Sequence, residues 1–507
     1  MFRKILIAAS LFIFIEPLIP IDVSYAATTT NSSIIYSGTL PSNQVHTYRF
    51  KSTKEGIVGV KFLSTSQTLH TITNIKSGES YRDGDILPIG EYDFDLSPTD
   101  STNISYKVEL IGDLGLIGQT NLPNLSVTSP SNGYTRLDNY ETSILFSGSS
   151  NADITNYIVN HQSPISLGSN FSKKVDILFG QNLINTKAEL SNNNRISDIR
   201  EVVTRGVKRI SGGSRYETAV ETSKEIEKEG YIIDTVVITA GDTYLDAVPG
   251  IVLAHSKTAP ILLTNSASLP NATKNEIIRL KAKNAIILGA PGVVSAEVEN
   301  QLISLGLDVS RISGNTRFDT AVKIANEVIT KNTNRVIIVN ESSWVDGLAI
   351  APYAANTETP ILYTNADSIP PDLQRFLDHR AIDEFILIGG TIPISKAVED
   401  KISKYGVTYR VDGTTKYDTV VNIPKALDFH QDRFVLFSNS VDGISASLLA
   451  SYKKANLLLT NTNSLPSQTD QYLQGYANDG LLENVYLLGG TNVIPGSTET
   501  YVRGLFK

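Results

Sequence analysis

The chain has 507 residues, 41% of them hydrophobic and 19% charged, with no cysteine and a net charge of −8. This is an ordinary globular composition with room for several cored domains, and it argues against wholesale disorder. The acidic balance argues against a generic nucleic-acid binder, and the missing cysteines remove disulfides, thiolate nucleophiles and Cys-ligated metals.

Residues 1–26 read as a secretory signal. Arg3-Lys4 supplies a positive start, 5–15 an apolar run ended by Glu16 and Pro17, and Ser24-Tyr25-Ala26 a small-x-small cleavage site. That run is too short to span a bilayer, and no later run is long enough to do so. No sortase-type tail stands at Gly504-Leu-Phe-Lys507. An exported chain without a membrane or covalent anchor is expected to diffuse away or to bind something outside the cell.

Residues 28–119 read as strands. Val45-His-Thr-Tyr-Arg-Phe50 alternates, with Val45, Thr47 and Arg49 on one face and His46, Tyr48 and Phe50 on the other. Leu87-Pro-Ile-Gly-Glu-Tyr-Asp-Phe-Asp-Leu96 and Tyr106-Lys-Val-Glu-Leu-Ile111 alternate again, which suggests a small β-sandwich. The Gly-x-Leu, Tyr-x-Phe and Leu-Pro-x-Gly-x-Tyr pattern resembles the pre-peptidase C-terminal-like domain. Residues 120–205 form a second β unit, with strands such as Ser143-Ile-Leu-Phe-Ser-Gly148 and Phe171-Ser-Lys-Lys-Val-Asp-Ile177. Their order resembles bacterial immunoglobulin-like modules. Neither unit shows a convergent polar cluster in its sequence, so both read as spacers.

From about residue 206 the pattern changes. Arg209-Ile-Ser-Gly-Gly-Ser-Arg-Tyr-Glu-Thr-Ala-Val220 recurs as Arg311-Ile-Ser-Gly-Asn-Thr-Arg-Phe-Asp-Thr-Ala-Val322 and as Arg410-Val-Asp-Gly-Thr-Thr-Lys-Tyr-Asp-Thr-Val-Val421, starts 102 and 99 residues apart. One module is thus written three times, over 206–306, 307–406 and 407–507. Each copy carries continuous aliphatic runs: Val236-Val-Ile238, Ile261-Leu-Leu263 and Ala285-Ile-Ile-Leu288 in the first. Such runs fit parallel strands covered by helices on both faces. Amphipathic stretches at 217–229, 271–283 and 296–305 supply helices. The expectation is a compact α/β domain of about four βα units per copy.

Catalytic signatures are missing. No Gly-x-Gly dinucleotide loop, Walker-type loop, His-Glu-x-x-His or nucleophile elbow appears. His255, His379 and His430 fall at different places in their copies, as surface residues would. The expectation is no enzyme and no cofactor; a carboxylate site of unfamiliar form is the alternative.

Four features recur in every copy. A basic residue precedes an aromatic and an acid at Arg215-Tyr216-Glu217, Arg317-Phe318-Asp319 and Lys416-Tyr417-Asp418. The acid and the following Thr open a helix, while the basic residue serves either an ion pair or a ligand. A second acid, Asp246, Asp346 or Asp442, follows the next strand. It either caps a helix or accepts sugar hydroxyls at the edge where ligands collect on open α/β sheets. Third, Asn265, Asn365 and Asn461 stand in the loops Thr264-Asn…Pro270, Thr364-Asn…Pro370 and Thr460-Asn…Pro466, closing turns or meeting ligand. Fourth, Leu288-Gly289, Ile388-Gly389-Gly390 and Leu488-Gly489-Gly490 end the last strand. No calcium loop signature or other metal site is evident.

The Arg-Ile-Ser-Gly-x-x-Arg-aromatic-acid-Thr-Ala motif, the Pro-Ile-Leu strands at 260–264 and 360–364 and the Leu-Gly-Gly turn together resemble the cell wall-binding repeat type 2 family over about 300 residues. The resemblance implies a surface protein of a Gram-positive bacterium. Three modules would pack in a pseudo-threefold arrangement and bind an anionic secondary wall polymer non-covalently. The third copy departs from the pattern with Asp412, Lys416, Val420, Asn456 and Pro424, the last expected to kink or shorten its first helix. Residues 206–507 hold 28 Lys and Arg against 33 Asp and Glu, so an anionic ligand must meet local cations such as Arg215, Arg317 and Lys416. The expected architecture is therefore multidomain, two all-β sandwiches followed by three α/β modules with mainly parallel open sheets. The expected role is a secreted, wall-anchored, non-enzymatic surface protein. Its partners would be the anionic polymer and, through the β domains, a protein, with no nucleic acid and no membrane span. The competing classes are a wall-processing enzyme and an adhesin or scaffold.

Overall fold

The computed structural model of the chain describes residues 32–506, apart from 65–67, 100–101, 118–119, 132, 138–140, 153, 160–164, 331–332 and 430. The expected signal at 1–26 and His430 lie outside the described residues. The chain divides into two compact units, Met1–Val203 and Thr204–Lys507.

Among the described residues the first unit is built of strands alone. The alternation in Gln44–Ser52 turns His46, Tyr48 and Phe50 inward, as the period of two dictates. Tyr36 stacks on Tyr48 with ring centroids 4.0 Å apart, and Phe50, Tyr92 and Phe94 complete this core. The two sandwiches expected over 28–119 and 120–205 are not separate sheets. Arg195–Thr204 pairs antiparallel with Gln44–Ser52, Arg195 opposite Thr47 and Asp198 opposite Gln44, inside one nine-stranded sheet. Two hydrophobic clusters nevertheless remain, with Leu122 packed against both. The reason is that a strand edge offers unpaired N–H and C=O groups to any extended segment, whereas side-chain alternation records only which face is buried.

Among the described residues the second unit contains four helices per copy. They are α1 (Arg215–Glu227), α2 (Ala247–Ser256), α3 (Asn271–Leu280) and α4 (Ala296–Ser304) in the first, and α5 (Arg317–Val328), α6 (Trp344–Asn356), α7 (Pro371–His379) and α8 (Lys396–Ile402) in the second. The third has α9 (Lys416–Ala426), α10 (Ser440–Lys453), α11 (Ser467–Asn478) and α12 (Gly496–Arg503). Pro424 stands in the last turn of α9, which has 11 residues where α1 has 13. This is the shortening that its missing N–H imposes.

Each copy contributes three strands to a four-stranded parallel sheet, and the fourth comes from the repeat that follows. The first sheet runs Ile261–Thr264, Thr235–Ala240, Asn284–Leu288 and then Asp308–Ile312, which opens the second repeat. Val407–Val411 completes the second sheet in the same way. Gly206–Ile210, the opening strand of the first repeat, completes the third beside Asn484–Leu488. The expectation of a self-contained sheet per copy is thus corrected to a cyclic exchange of strands. Helices α2, α6 and α10 pack on one another at the centre. They are buried along nearly their whole length; α2 and α6 are largely apolar, while α10 also buries small hydroxyl side chains such as Ser445, Ser447 and Ser451. Ser447 Oγ donates to the Leu348 carbonyl at 2.9 Å and Asn356 Nδ2 to that of Ser451 at 3.1 Å, tying α10 to α6.

Candidate functional site

The repeat motif builds a helix start. Ser214, Thr316 and Thr415 cap α1, α5 and α9, each accepting from the backbone N–H three residues on. Asp418 returns a bond to the Thr415 N–H at 2.8 Å, closing a capping box. The Thr218 and Thr320 hydroxyls accept from the Gly212 and Gly314 N–H groups at 3.1 and 3.0 Å. The loop presses so closely on the helix that a Cβ on Gly212 or Gly314 would lie 2.2 or 2.5 Å from the Cβ of Glu217 or Asp319. Acid, Thr and Gly of the motif are therefore structural. The basic residue at the first helical position remains exposed at Arg215, Arg317 and Lys416.

Those cations face a neighbouring copy. Helix α1 packs on α10, α5 on α2 and α9 on α6, so each repeat's first helix lies against the previous repeat's second helix. The second acids stand on those second helices. Asp246, Asp346 and Asp442 are 6, 7 and 9% exposed. The helix-capping alternative does not hold for them. Asp246 makes no side-chain cap bond, α6 has none either, and at α10 the cap is Asn439, which accepts from Val441 and Asp442 N–H. Burial raises all three carboxyls. The Arg317 charge opposes the rise at Asp246, and the Asn439 amide and the Arg215 charge oppose it at Asp442. At Asp346, burial opposed only by the Ser343 hydroxyl lifts the carboxyl to about 7. The cation of that junction, Lys416, instead has Nζ 5.9 Å from the Trp344 ring centroid and 5.3 Å from that of Tyr417.

The glycine turns explain how the acids fit. Gly289, Gly389 and Gly489 have φ of +104, +110 and +110°, and a Cβ on each would lie 2.7, 2.7 and 3.0 Å from the carboxylate of Asp246, Asp346 and Asp442. Gly389→Ala is expected to cost about 1–3 kcal/mol through strain and this close approach. Gly390→Ala, whose Cβ would meet only Asp412 Oδ2 at 3.8 Å, should cost little. Equal melting temperatures for the two variants would contradict the fit.

The asparagines differ among copies. Asn265 accepts from the Tyr216 hydroxyl, Asn365 Nδ2 donates to Ser368 Oγ at 3.2 Å, and Asn461 closes a turn by accepting from Asn463 and Ser464 N–H. Of these three described asparagines, Asn265 alone is joined to the aromatic of the motif. His255 is not the surface residue expected: its ring packs 4.9 Å from that of Tyr452, and burial lowers it to about 4. Among the described residues no group of three or more His, Cys, Asp and Glu could hold a metal ion.

Two features escape the sequence reading. The arginine that opens the motif in every repeat, Arg209, Arg311 or Arg410, reaches the carbonyl of Gly489, Gly289 or Gly389 at 2.7, 2.7 and 2.6 Å. Each also pairs with Glu499, Glu299 or Glu399, at 2.9, 2.7 and 2.8 Å. These clamps lock a repeat to the turn of its predecessor; the regular recurrence of that Arg and Glu was the available signal. In the first unit, a concavity of about 560 Å³ gathers uncharged polar residues, among them Gln44, His46, Asn121 and Asn151. They come from distant stretches that only the shared sheet brings together.

The model of the family described as Cell wall binding domain 2 (CWB2) matches residues 209–299, 311–399 and 410–499, more than half of the chain. The N-acetylmuramoyl-L-alanine amidase LytC of Bacillus subtilis is 36% identical over 262 residues, 51% of this chain and 51% of that protein. The Amidase enhancer of the same organism is 34% identical over 261 residues, 51% of this chain and 35% of that protein. The chain thus spans about half the length, or less, of these curated relatives. Among solved structures, Cwp6 from Clostridium difficile matches with a TM-score of 0.57 at 22% identity, over 76% of this chain and 68% of that one. Cwp8 from the same organism matches with 0.52 at 18%, over 88% and 80%. At these identities the likeness is one of fold. Among the described residues no helix is long and apolar enough to cross a membrane.

Proposed function

The chain belongs to the Cell wall binding domain 2 family, and on that premise we propose that its three repeats hold it non-covalently on a Gram-positive cell wall by binding an anionic secondary polymer. The observation that carries this reading is the recurring junction, where the first helix of one repeat, with its exposed cation, packs on the second helix of the repeat before it, with its buried acid; at two junctions the cation, Arg317 or Arg215, acts on the acid, Asp246 or Asp442. Anions would meet Arg215, Arg317 and Lys416, and sugar hydroxyls would donate to Asp246, Asp346 and Asp442, with Asn265, Asn365 and Asn461 at the rim. Sites would then lie between repeats, in a pseudo-threefold arrangement that the strand exchange and the α2, α6 and α10 packing support. In this reading the chain is secreted through residues 1–26 and is no enzyme. The β unit, with pre-peptidase C-terminal-like and immunoglobulin-like halves at 28–119 and 120–205, is displayed outward, free to meet a protein partner.

A wall-processing enzyme is the second reading. It draws on Asp346, whose carboxyl near 7 suits a general acid, and on the name of the amidase relative. One experiment separates the two. The purified chain is sedimented with Bacillus subtilis walls before and after acid extraction of secondary polymers, and released sugars and amines are assayed. Binding lost on extraction, with no turnover, is expected. Binding unchanged would redirect the reading to peptidoglycan, and turnover abolished by Asp346→Asn would establish the enzyme instead.

A further inference from the structure

The three junctions are built alike and charged differently. Where α5 meets α2, Arg317 Nη1 lies 2.7 Å from Glu341 Oε2. Glu341 is held there, its Oε1 accepting from Ser342 Oγ at 2.9 Å and its carbonyl from the Tyr244 hydroxyl at 3.1 Å. At the corresponding place the first copy has Gly241, and Arg215 Nη1 donates to that glycine's carbonyl at 2.5 Å. Among the described residues no carboxylate lies within ion-pair distance of Arg215 or Lys416.

From this contrast we infer that the Glu341 carboxylate is a built-in anion mimic. It occupies the anion position of the α2–α5 junction, so that the anionic group of an acidic saccharide is bound at the Arg215 and Lys416 junctions. The inference rests on the polymer-binding reading above and deepens it. A carboxylate accepts from a guanidinium as a phosphate or uronate oxygen would, so the internal acid and the ligand compete for the same N–H groups. Competition by a partly exposed pair is modest in energy, which makes the occlusion a graded one. At the Lys416 junction the ammonium lies against Trp344 and Tyr417. An anion there would be accompanied by aromatic faces that suit a sugar ring.

The test is titration calorimetry of the full chain with the anionic polymer released from Bacillus subtilis walls by acid. Glu341→Gln is expected to bind about 3–10-fold more tightly, since one cation is freed and a third linked contact is added. Glu341→Ala should show the same gain, and adding Arg317→Ala should abolish it. The gain should shrink as salt is raised. Binding by the parent chain with no gain in either Glu341 variant would overturn the inference while leaving the anchoring role intact. No binding by the parent chain would overturn both.

Discussion

Lys453→Met is expected to destabilise the Thr204–Lys507 unit by about 1.5–3 kcal/mol, because it removes a buried ammonium that Glu225 and Glu229 share, while Glu225 keeps Lys208 at 2.7 Å and Lys228 at 2.9 Å. Lys453 ends α10 in the third repeat and reaches back to the first. Its Nζ is ion-paired with Glu229, lies 3.2 Å from Glu225 Oε1, and sits 5.4 Å from the Tyr486 ring centroid. Lys453 and Glu225 side chains are 5 and 3% exposed, so water cannot replace the lost ammonium. Burial pushes the Glu225 carboxyl up, but Lys453, Lys208 and Lys228 outweigh it and hold it at about 2. A folded value below the unfolded value of about 4.3 means stability that is present above that pH and lost as pH falls toward 2. The cluster joins the copies whose strands Gly206–Ile210 and Asn484–Leu488 pair, so its loss opens the cyclic exchange where it closes. Trp344, the sole tryptophan, lies in this unit, and its fluorescence in urea reads the transition. Glu229→Gln added to Lys453→Met should recover part of the loss, since it removes the carboxylate that has lost its partner while Glu225 keeps Lys208 and Lys228. A loss under about 1 kcal/mol in the single variant would show that the charges are not enclosed.

Asp346→Asn is expected to stabilise the same unit by about 4 kcal/mol at pH 8 and to leave it nearly unchanged near pH 4. Burial lifts the folded Asp346 carboxyl to about 7, against about 3.9 in the unfolded chain. Below about 3.9 the group is protonated in both states and contributes no difference. Between about 4 and 7 the unfolded chain releases its proton and the folded chain does not, so stability falls with rising pH. Above 7 the full cost of a buried carboxylate is reached, about 1.4 kcal/mol for each unit of difference. Urea midpoints of parent and variant at the two pH values are the check; the same difference at both would refute the raised value. A costly acid repeated in all three copies, though no helix cap, is what a binding group resembles. In the anchoring reading, the variant trades polymer affinity for stability.

The local reading of the sequence survives where the signal is local. Apolar runs at 236–238, 336–339 and 434–437 lie in central strands; each first helix starts where the motif stands, though capped by Ser214, Thr316 or Thr415 before the basic residue rather than opened by the acid and the Thr after it. The basic residue and the second acid were both legible as recurring features, but not as neighbours. They come from different copies and reach a common junction only because α1, α5 and α9 pack on the preceding repeat. The central position of α2, α6 and α10 was equally hidden, since helices buried on nearly every side, as these are, carry no apolar stripe to aim them.

The amino-acid sequence by itself determined the triplication, the strand and helix content of each copy, the family and the chemical types available for binding. Tertiary structure alone decided that strand Arg195–Thr204 continues the sheet of Gln44–Ser52, and that each repeat's opening strand belongs to its predecessor's sheet. It also decided that Arg317 meets the Glu341 carboxylate while Arg215 reaches a backbone carbonyl. Hydropathy patterns encode which face of an element is buried. Backbone hydrogen bonds between strands are blind to sequence, so the choice of partner is made by the packing of whole elements.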